Sequence, residues 1–124
     1  MKRILVVDDE RDTVRLTKKI LEDDDFEVIP SYNGNEALEI IEQKYNDIDL
    51  ILLDIMMPEK SGFSVLEDLK NDERFKNIPV ICFTIKNFNE DIQKAKKLGA
   101  CGYLVKPFSG NQLITYVKDK LNLN

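Results

Sequence analysis

The stretch ILVVDDE, residues 4–10, sets four apolar residues directly against three carboxylates. The apolar residues have the composition of a strand that is buried on both faces, as strands of parallel sheets are. The carboxylates Asp8, Asp9 and Glu10 then stand where that strand ends. Because like charges so close together repel one another, two interpretations arise: Asp8 or Asp9 caps a following helix, or the cluster holds a cation.

The same pattern recurs four times along the chain. Short apolar runs predict strands at RILVV (3–7), FEVIP (26–30), DLILL (49–53), PVICF (79–83) and CGYLV (101–105). Between them, apolar residues recur at helical spacing and predict helices over 11–23, 35–44, 63–70, 89–98 and 110–121. Strands that alternate with helices predict a doubly wound α/β fold, (βα)5, with a five-stranded parallel sheet.

Length and composition limit the class of protein. A chain of 124 residues suits one domain, so we expect a single domain over 1–124 with no output domain. The net charge of −5 argues against direct nucleic-acid binding. No apolar run approaches a membrane span of roughly 20 residues, and carboxylates follow the short apolar N-terminus where a signal peptide would continue. We therefore expect a cytoplasmic protein without a membrane partner. Cys82 and Cys101 lack metal-ligand spacing and are predicted to be buried, reduced thiols.

Polar residues follow the other predicted strands as well. Asp54 comes after the third strand, Thr84 after the fourth and Lys106 after the fifth. Ligands of open α/β sheets bind beyond the carboxyl ends of the strands. Asp8, Asp9 and Asp54 would bring three carboxylates to that edge, and such ligands suit Mg²⁺, with Mn²⁺ as the alternative. Any further protein ligand would be a backbone carbonyl, because Met56 and its neighbours are apolar.

A hydroxyl and an ammonium beside a metal indicate an anion that binds transiently, and a phosphoryl group fits. A carboxylate can accept that group as an acyl phosphate, and Asp54 is the best candidate because its strand lies centrally. Each residue alone has a structural interpretation: Asp54 as a loop carboxylate before Pro58, Thr84 as a strand-end hydroxyl, Lys106 as a solvated lysine. Their joint occurrence at the ends of one sheet favours a site.

Over its whole length the chain resembles the response-regulator receiver domain of two-component signalling, of the chemotaxis-regulator type. The stretches that carry this resemblance are ILVVDDE, SYNGNEAL, DLILLDIMMPEKSG, PVICFT and GYLVKPF. It implies a flavodoxin-like sheet in the order 2-1-3-4-5, for which the chemotaxis receiver is itself the example attached to the general rule.

The resemblance also implies a set of roles. Asp54 would take a phosphoryl group from a histidine kinase or phosphotransfer protein, as a phosphoprotein of a phosphorelay. Mg²⁺ would be held by Asp8, Asp9, Asp54 and the Met56 carbonyl. The phosphoryl oxygens would contact Thr84 and Lys106, Tyr103 would be the aromatic switch, and the Lys106–Pro107 bond would be cis.

Ile85 departs from the family pattern, in which the residue after the switch threonine is usually small. A branched side chain there is expected to crowd the site and slow the entry of phosphodonor or water, and the neighbouring Lys86 could bias the access of water. This leaves an alternative, in which the chain is a pseudo-receiver, a binding module that is not phosphorylated because Ile85 obstructs the site.

A signalling receiver would act through an unknown output protein, expected at the face formed by the fourth helix, fifth strand and fifth helix. Lysines on those two helices could bind an acidic partner. They also have a simpler explanation, since cations near helix C-termini interact favourably with the helix dipole and keep the surface solvated. A third hypothesis is a phosphohydrolase with an aspartyl nucleophile. Such enzymes often carry an acid two residues after the nucleophile, where this chain has Met56. We therefore expect a signalling domain that is not an enzyme.

Overall fold

Five strands alternate with five helices in the computed structural model, which describes residues 1–85 and 89–123. The strands are β1 (Arg3–Val7), β2 (Glu27–Ser31), β3 (Leu50–Asp54), β4 (Val80–Thr84) and β5 (Gly102–Val105). The helices are α1 (Arg11–Asp23), α2 (Gly34–Lys44), α3 (Gly62–Lys70), α4 (Asn89–Lys97) and α5 (Gly110–Lys120), and a 3-10 turn covers Tyr45–Asp47. Lys86, to which an effect on water access was ascribed, lies outside the described residues.

The sheet is parallel throughout and has the order β2-β1-β3-β4-β5. This confirms the doubly wound, flavodoxin-like fold expected from the sequence. The order reverses between β1 and β3, since the chain moves to one side of β1 for β2 and to the other side for β3. The carboxyl ends of these two central strands therefore open onto one crevice.

Four strands begin one residue later than predicted, and three of them also end one residue later. Asp54 and Thr84 are consequently the last residues of β3 and β4, whereas the sequence placed them after the strands. The ladder explains the shift, because Asp54 pairs with Phe83 and Thr84 pairs with Val105. Backbone pairing continues through these polar residues, so the sheet itself holds both side chains.

The strands bury both faces, as expected for a parallel sheet. One face packs against α1 and α5 through Ile4, Val6, Leu50, Leu52, Ile81 and Phe83. The opposite face packs against α2, α3 and α4 through Leu5, Val7, Ile51, Leu53, Val80 and Cys82. All twelve side chains have no exposed surface. This double burial leaves the strand ends as the places where polar groups can reach solvent.

Residues typical of helix ends stand at the start of α5 and just after α4. Ser109 caps α5, and its hydroxyl accepts the Gln112 N–H while the Gln112 side chain accepts the Ser109 N–H. Gly99 follows α4 with φ of 101°, a conformation that favours glycine. Among the residues that the structure covers, no helix is long and apolar enough to cross a membrane.

The prediction for the cysteines is half correct. Cys82 is fully buried, and burial raises the pKa of its thiol to about 12. Cys101 is exposed, contrary to the prediction, because it precedes β5 at the edge of the sheet. Both thiols are free.

Candidate functional site

Three carboxylates converge at the crevice between β1 and β3. Asp8, Asp9 and Asp54 each offer an oxygen, and these oxygens all lie within 4.8 Å of one another. Asp8 is fully buried and Asp54 is 3% exposed, whereas Asp9 is exposed. The sequence prediction that these residues would meet is therefore confirmed.

Helix capping does not account for the acidic pair. The N-cap of α1 is Glu10, whose side chain makes no capping hydrogen bond. Asp8 Oδ1 instead accepts the Glu10 N–H at 3.0 Å, which fixes the Asp8 carboxylate against the turn before the helix. Asp9 makes no ion pair or hydrogen bond within the described ranges. The pair is thus oriented toward the crevice and not toward the helix start.

Lys106 supplies the one ammonium that contacts the cluster among the described residues. Its Nζ donates to Asp8 Oδ2 at 2.5 Å and lies 3.8 Å from Asp54 Oδ1. The lysine side chain is only 10% exposed. A buried ion pair of this kind offsets part of the repulsion between the carboxylates, but one positive charge faces three negative ones.

Burial and like charge shift the acidity of Asp54. Burial raises the pKa of its carboxyl most strongly, and the charges of Asp8 and Asp9 raise it further. The Lys106 ammonium and a hydrogen bond from the Met56 N–H, 3.4 Å from Asp54 Oδ1, oppose the shift. The resulting pKa is about 7. The cluster without a bound cation therefore binds a proton readily near neutral pH, which is the behaviour of a site built for added positive charge.

Thr84 and the peptide bond before Pro107 complete the edge of the crevice. Thr84 is 2% exposed, and its carbonyl oxygen accepts the Lys106 N–H at 2.6 Å. The Lys106–Pro107 bond is cis, as expected. The ends of β4 and β5 are thus joined through the backbones of Thr84 and of Lys106, whose ammonium enters the site.

Gly62 supports the site in a way that the sequence analysis did not predict. A Cβ on Gly62 would lie 2.2 Å from the Asp54 carbonyl oxygen and 2.7 Å from the Ile55 Cα. The Gly62 N–H donates to the Ile55 oxygen at 2.9 Å. The first residue of α3 therefore presses against the backbone at the end of β3, and only glycine leaves room for this contact.

Tyr103 has a partner that the sequence also did not reveal. Its backbone N–H donates to the Tyr116 hydroxyl at 3.1 Å, which ties β5 to α5. A Cβ on Gly102 would lie 2.4 Å from that hydroxyl, so the glycine permits the approach. The Tyr103 ring is half-buried against the α2–α4 face, and Lys96 Nζ lies 5.8 Å from its centroid. No local sequence signal predicts a contact between a backbone N–H and a side chain thirteen residues away.

Ile85 projects into a groove beside the site. Its side chain is 52% exposed and lines a groove of about 410 Å³ with Leu16, Lys106 and Phe108 among its neighbours. Leu16 is 60% exposed. Pro107 and Thr13 also line this groove, whose one end is the lysine of the carboxylate cluster. Ile85 thus adjoins the site through Lys106 and contributes to an apolar surface.

The donor set fits a hard divalent cation. Three carboxylate oxygens in a compact group, two of them on buried side chains, have more negative charge than Lys106 compensates. The backbone carbonyl of Met56, two residues after Asp54, stays a prediction as a further ligand, and the Met56 side chain is 59% exposed. Oxygen ligands of this type suit Mg²⁺ more than soft metals.

Comparisons with known proteins show the family of the chain. The family model described as the response regulator receiver domain matches residues 4–118. The transcriptional regulatory protein CpxR of Escherichia coli K12 is 37% identical over 118 residues, which are 95% of this chain and 48% of CpxR. The response regulator SaeR of Staphylococcus aureus USA300 is 36% identical over 121 residues, 98% of this chain and 51% of SaeR.

Solved structures share the fold. The chemotaxis protein CheY4 of Vibrio cholerae superposes with a TM-score of 0.90 at 29% identity, covering 96% of this chain and 98% of CheY4. A receiver domain protein from Clostridium thermocellum gives a TM-score of 0.91 at 31% identity, covering 98% and 95% of the two chains.

A doubly wound sheet with an acidic crevice at its switch point defines the class, and the matches define the family. The chain belongs to the response regulator receiver domain family of two-component systems. Members of this family are signalling domains. The chain spans about half the length of the two regulators named above.

Proposed function

We propose that the chain is a phosphoacceptor of a two-component phosphorelay and that Asp54 takes a phosphoryl group from a histidine kinase or phosphotransfer protein. The observation that carries this proposal is the position of Asp54. It is a buried carboxyl at the end of β3, with an oxygen within 4.8 Å of oxygens of Asp8 and Asp9 and with Oδ1 3.8 Å from the Lys106 ammonium. A carboxylate in that setting is both a nucleophile and a cation ligand.

In the proposed reaction an Asp54 oxygen forms a bond to phosphorus while the bond from phosphorus to the donor nitrogen breaks. The donor imidazole keeps the electron pair of that bond and becomes neutral after proton exchange with solvent. The Asp54 backbone is fixed by the sheet ladder and by the contact with Gly62, so the nucleophile is held rigidly. Rigid positioning of the attacking group is a large part of the rate of phosphoryl transfer.

Charge compensation comes from several groups in this proposal. Lys106 lies close enough to Asp54 to reach a phosphoryl oxygen by a small movement of its ammonium. Thr84 supplies a hydroxyl from the neighbouring strand. Asp8, Asp9, Asp54 and the Met56 carbonyl would hold Mg²⁺, which supplies positive charge to the transferring group when bound. Mn²⁺ is the alternative occupant.

The phosphorylated state would change binding of a partner at the face of α4, β5 and α5. Tyr103 lies in this face, and its links to Tyr116 and Lys96 give β5 contacts with both helices. The partner would be an output protein, in a cytoplasmic setting. Absence of direct nucleic-acid binding remains a prediction for the segment described, since relatives such as CpxR are named as transcriptional regulators.

Labelling with a small phosphodonor tests the acceptor. Wild-type protein with Mg²⁺ and acetyl phosphate is expected to gain a shifted band on a phosphate-affinity gel. Asp54→Asn keeps the shape but removes the nucleophilic oxygen, so labelling should fall at least about a hundredfold. Asp47→Asn, an exposed carboxylate outside the site, serves as the matched control and should label normally. Equal labelling of the Asp54→Asn protein would remove Asp54 from this role.

Substitution of Ile85 distinguishes a phosphoacceptor from a pseudo-receiver. If its side chain obstructs access, Ile85→Ala should speed both acetyl-phosphate labelling and loss of the acyl phosphate. If it serves only the apolar groove, both rates should stay unchanged and partner binding should weaken. A wild-type protein that never labels, together with an Ile85→Ala protein that does, would establish the pseudo-receiver. Thr84→Ala should instead leave a labelled protein that responds poorly, because the hydroxyl that contacts the phosphoryl group is gone.

A phosphohydrolase is disfavoured by Met56. Its exposed thioether side chain stands two residues after Asp54, where an acid would be needed to protonate a leaving group. Turnover of a phosphate ester by the wild-type protein, with release of free phosphate beyond one equivalent, would reverse this conclusion.

A further inference from the structure

The charges of α1 run against the direction that a helix favours. Residues 11–19 contain four basic residues and one acidic residue, whereas residues 22–25 read EDDD. Helices gain stability from anions near their N-terminus and cations near their C-terminus. Arg11, in the first turn of α1, therefore gains nothing from the helix dipole. The four basic residues are also unexpected because residues 1–62 hold 8 basic and 16 acidic residues.

Three of these cations share one groove. Arg11, Arg15 and Lys18 are spaced i, i+4 and i+7, so they lie on the same side of the helix. They line a groove of about 220 Å³ between α1 and the end of β2, together with Val14, Pro30 and Tyr32. This groove is separate from the phosphoacceptor crevice and from the groove that contains Ile85.

The positive charge of the groove is largely uncompensated. The Arg11 guanidinium stacks on the Tyr32 ring at 4.0 Å and makes no ion pair within the described part of the chain. Lys18 likewise has no ion pair or hydrogen bond there. Arg15 lies 3.6 Å from Asp12, but both side chains are more than 80% exposed, and such a pair is weak. Glu36, whose carboxylate accepts the Tyr32 N–H at 2.9 Å, makes no ion pair with these cations within the described part of the chain.

We propose that this groove binds the diphosphate group of a nucleotide. Arg15 and Lys18 are three residues apart and can contact adjacent phosphates, since one helical turn separates them. Stacking on Tyr32 holds the Arg11 guanidinium as a flat platform, and nucleobases stack on such planes. A single phosphate is too short to contact Arg11, Arg15 and Lys18 together, because Arg11 and Lys18 are roughly 10 Å apart along the helix axis.

The proposal does not depend on phosphorylation of Asp54. Binding is therefore measured with the full chain carrying Asp54→Asn, in EDTA, so that neither acyl phosphate nor metal-bound phosphate contributes. ADP, GDP, AMP and pyrophosphate are titrated at constant ionic strength, with affinity from calorimetry and location from amide chemical shifts. The diphosphates should bind at least about tenfold more tightly than AMP. The shifts should centre on α1 and Tyr32.

Variants distinguish binding in the groove from non-specific attraction of an anion to the positive charges of α1. Arg15→Gln and Lys18→Gln should each weaken ADP binding about tenfold, since each removes a charge-assisted contact. Lys19→Gln is the matched control, because this exposed lysine is on the same helix but does not line the groove. It should change the affinity less than about twofold. Tyr32→Leu should weaken ADP binding more than pyrophosphate binding, because it removes the support of the Arg11 platform.

Three results would overturn the proposal: no binding of ADP or pyrophosphate at millimolar concentration, an equal loss in the Lys19→Gln protein, or chemical shifts centred on Lys106. If pyrophosphate binds as tightly as ADP, the nucleobase makes no contact with Arg11, and the groove binds polyphosphate and not nucleotide. Unchanged melting temperatures of the variants serve as the check that the fold is intact.

Discussion

Two acidic clusters in this chain look alike in the sequence and differ in the structure. DDE at residues 8–10 and EDDD at residues 22–25 are both short runs of carboxylates at the ends of α1. In the first, Asp8 is buried and meets Asp54 from another strand. In the second, Glu22, Asp23 and Asp25 are exposed, and the half-buried Asp24 pairs with Lys118 at 2.8 Å. A run of charge becomes a site only where separate elements bring its members together.

Each acidic cluster contains one Lys–Asp ion pair, and the two pairs should contribute differently to the free energy of unfolding. Lys106 pairs with a fully buried carboxylate, whereas the Lys118 and Asp24 side chains are 33% and 36% exposed. Lys106→Met should lower the free energy of unfolding in EDTA by about 3–5 kcal/mol, since it leaves buried charge uncompensated. Lys118→Met, the matched control, should cost at most about 1 kcal/mol. Urea denaturation of both variants measures this, and equal losses would show that burial of the first pair is unimportant.

The pH dependence of stability should separate the clusters next. The folded-state pKa of Asp54 is raised to about 7 from an ordinary value of 3.8. A raised pKa means that the folded protein binds the proton more tightly, so this stabilisation is complete below pH 3.8 and is lost as the pH rises to about 7.

In EDTA, the free energy of unfolding of the wild type should therefore contain a component that falls by a few kcal/mol across this window. Asp54→Asn should remove that component, whereas Asp23→Asn in the exposed cluster should keep it. Parallel pH profiles for wild type and Asp54→Asn would contradict the assigned shift.

Added Mg²⁺ should stabilise only through the first cluster. At a concentration one hundred times its dissociation constant, a ligand of the native state contributes about 2.7 kcal/mol. Thermal melts should therefore rise on addition of Mg²⁺ for the wild type and for Asp25→Ala. Asp9→Ala should lose most of this response, and it should melt above the wild type in EDTA because one repulsive charge is gone. A wild-type melt that is indifferent to millimolar Mg²⁺ would argue against the metal site.

Substitutions at residues with positive φ near each cluster should have the smallest effect on the free energy of unfolding. Glu59, in the loop after β3, has φ of 66°, and Asp25, at the end of the exposed cluster, has φ of 67°. Glycine adopts this conformation without the steric cost of a Cβ, so Glu59→Gly and Asp25→Gly should each stabilise the fold by about 1 kcal/mol or less. Asp is among the residues that tolerate this region, so the gain should be larger at Glu59. Chemical denaturation detects the difference, and destabilisation by Glu59→Gly would indicate that its side chain holds the loop.

The convergence of Asp8, Asp9, Asp54 and Lys106 was predicted because all four stand at carboxyl ends of strands, which meet at one edge of a parallel sheet. Lys106 is 98 positions from Asp8 along the chain, and the sheet order that brings their strands together came from the family resemblance. Strand limits were less accurate, because hydrogen bonding extends one residue into the polar positions Asp54 and Thr84.

Contacts made by side chains across elements were not predictable in the same way. The Tyr116 hydroxyl and the Tyr103 N–H meet through helix packing, and no periodicity encodes this. The exposure of Cys101 was missed because residue type suggested burial while its position before an edge strand decided otherwise. Such features depend on where a helix axis or a sheet edge lies, which an apolar pattern does not specify.

The contact between Gly62 and the Asp54 backbone has a consequence for how this domain can change over generations. Any larger residue at position 62 would meet the Asp54 carbonyl oxygen at 2.2 Å, and backbone at that distance cannot move aside without moving Asp54. Ser61, one residue earlier, is constrained in a different way, because its hydroxyl caps α3 by accepting the Ser64 N–H at 3.2 Å, and Asn, Asp or Thr can make the same kind of contact. Substitution over generations should therefore be possible among capping residues at position 61, whereas position 62 should stay glycine as long as Asp54 keeps its place.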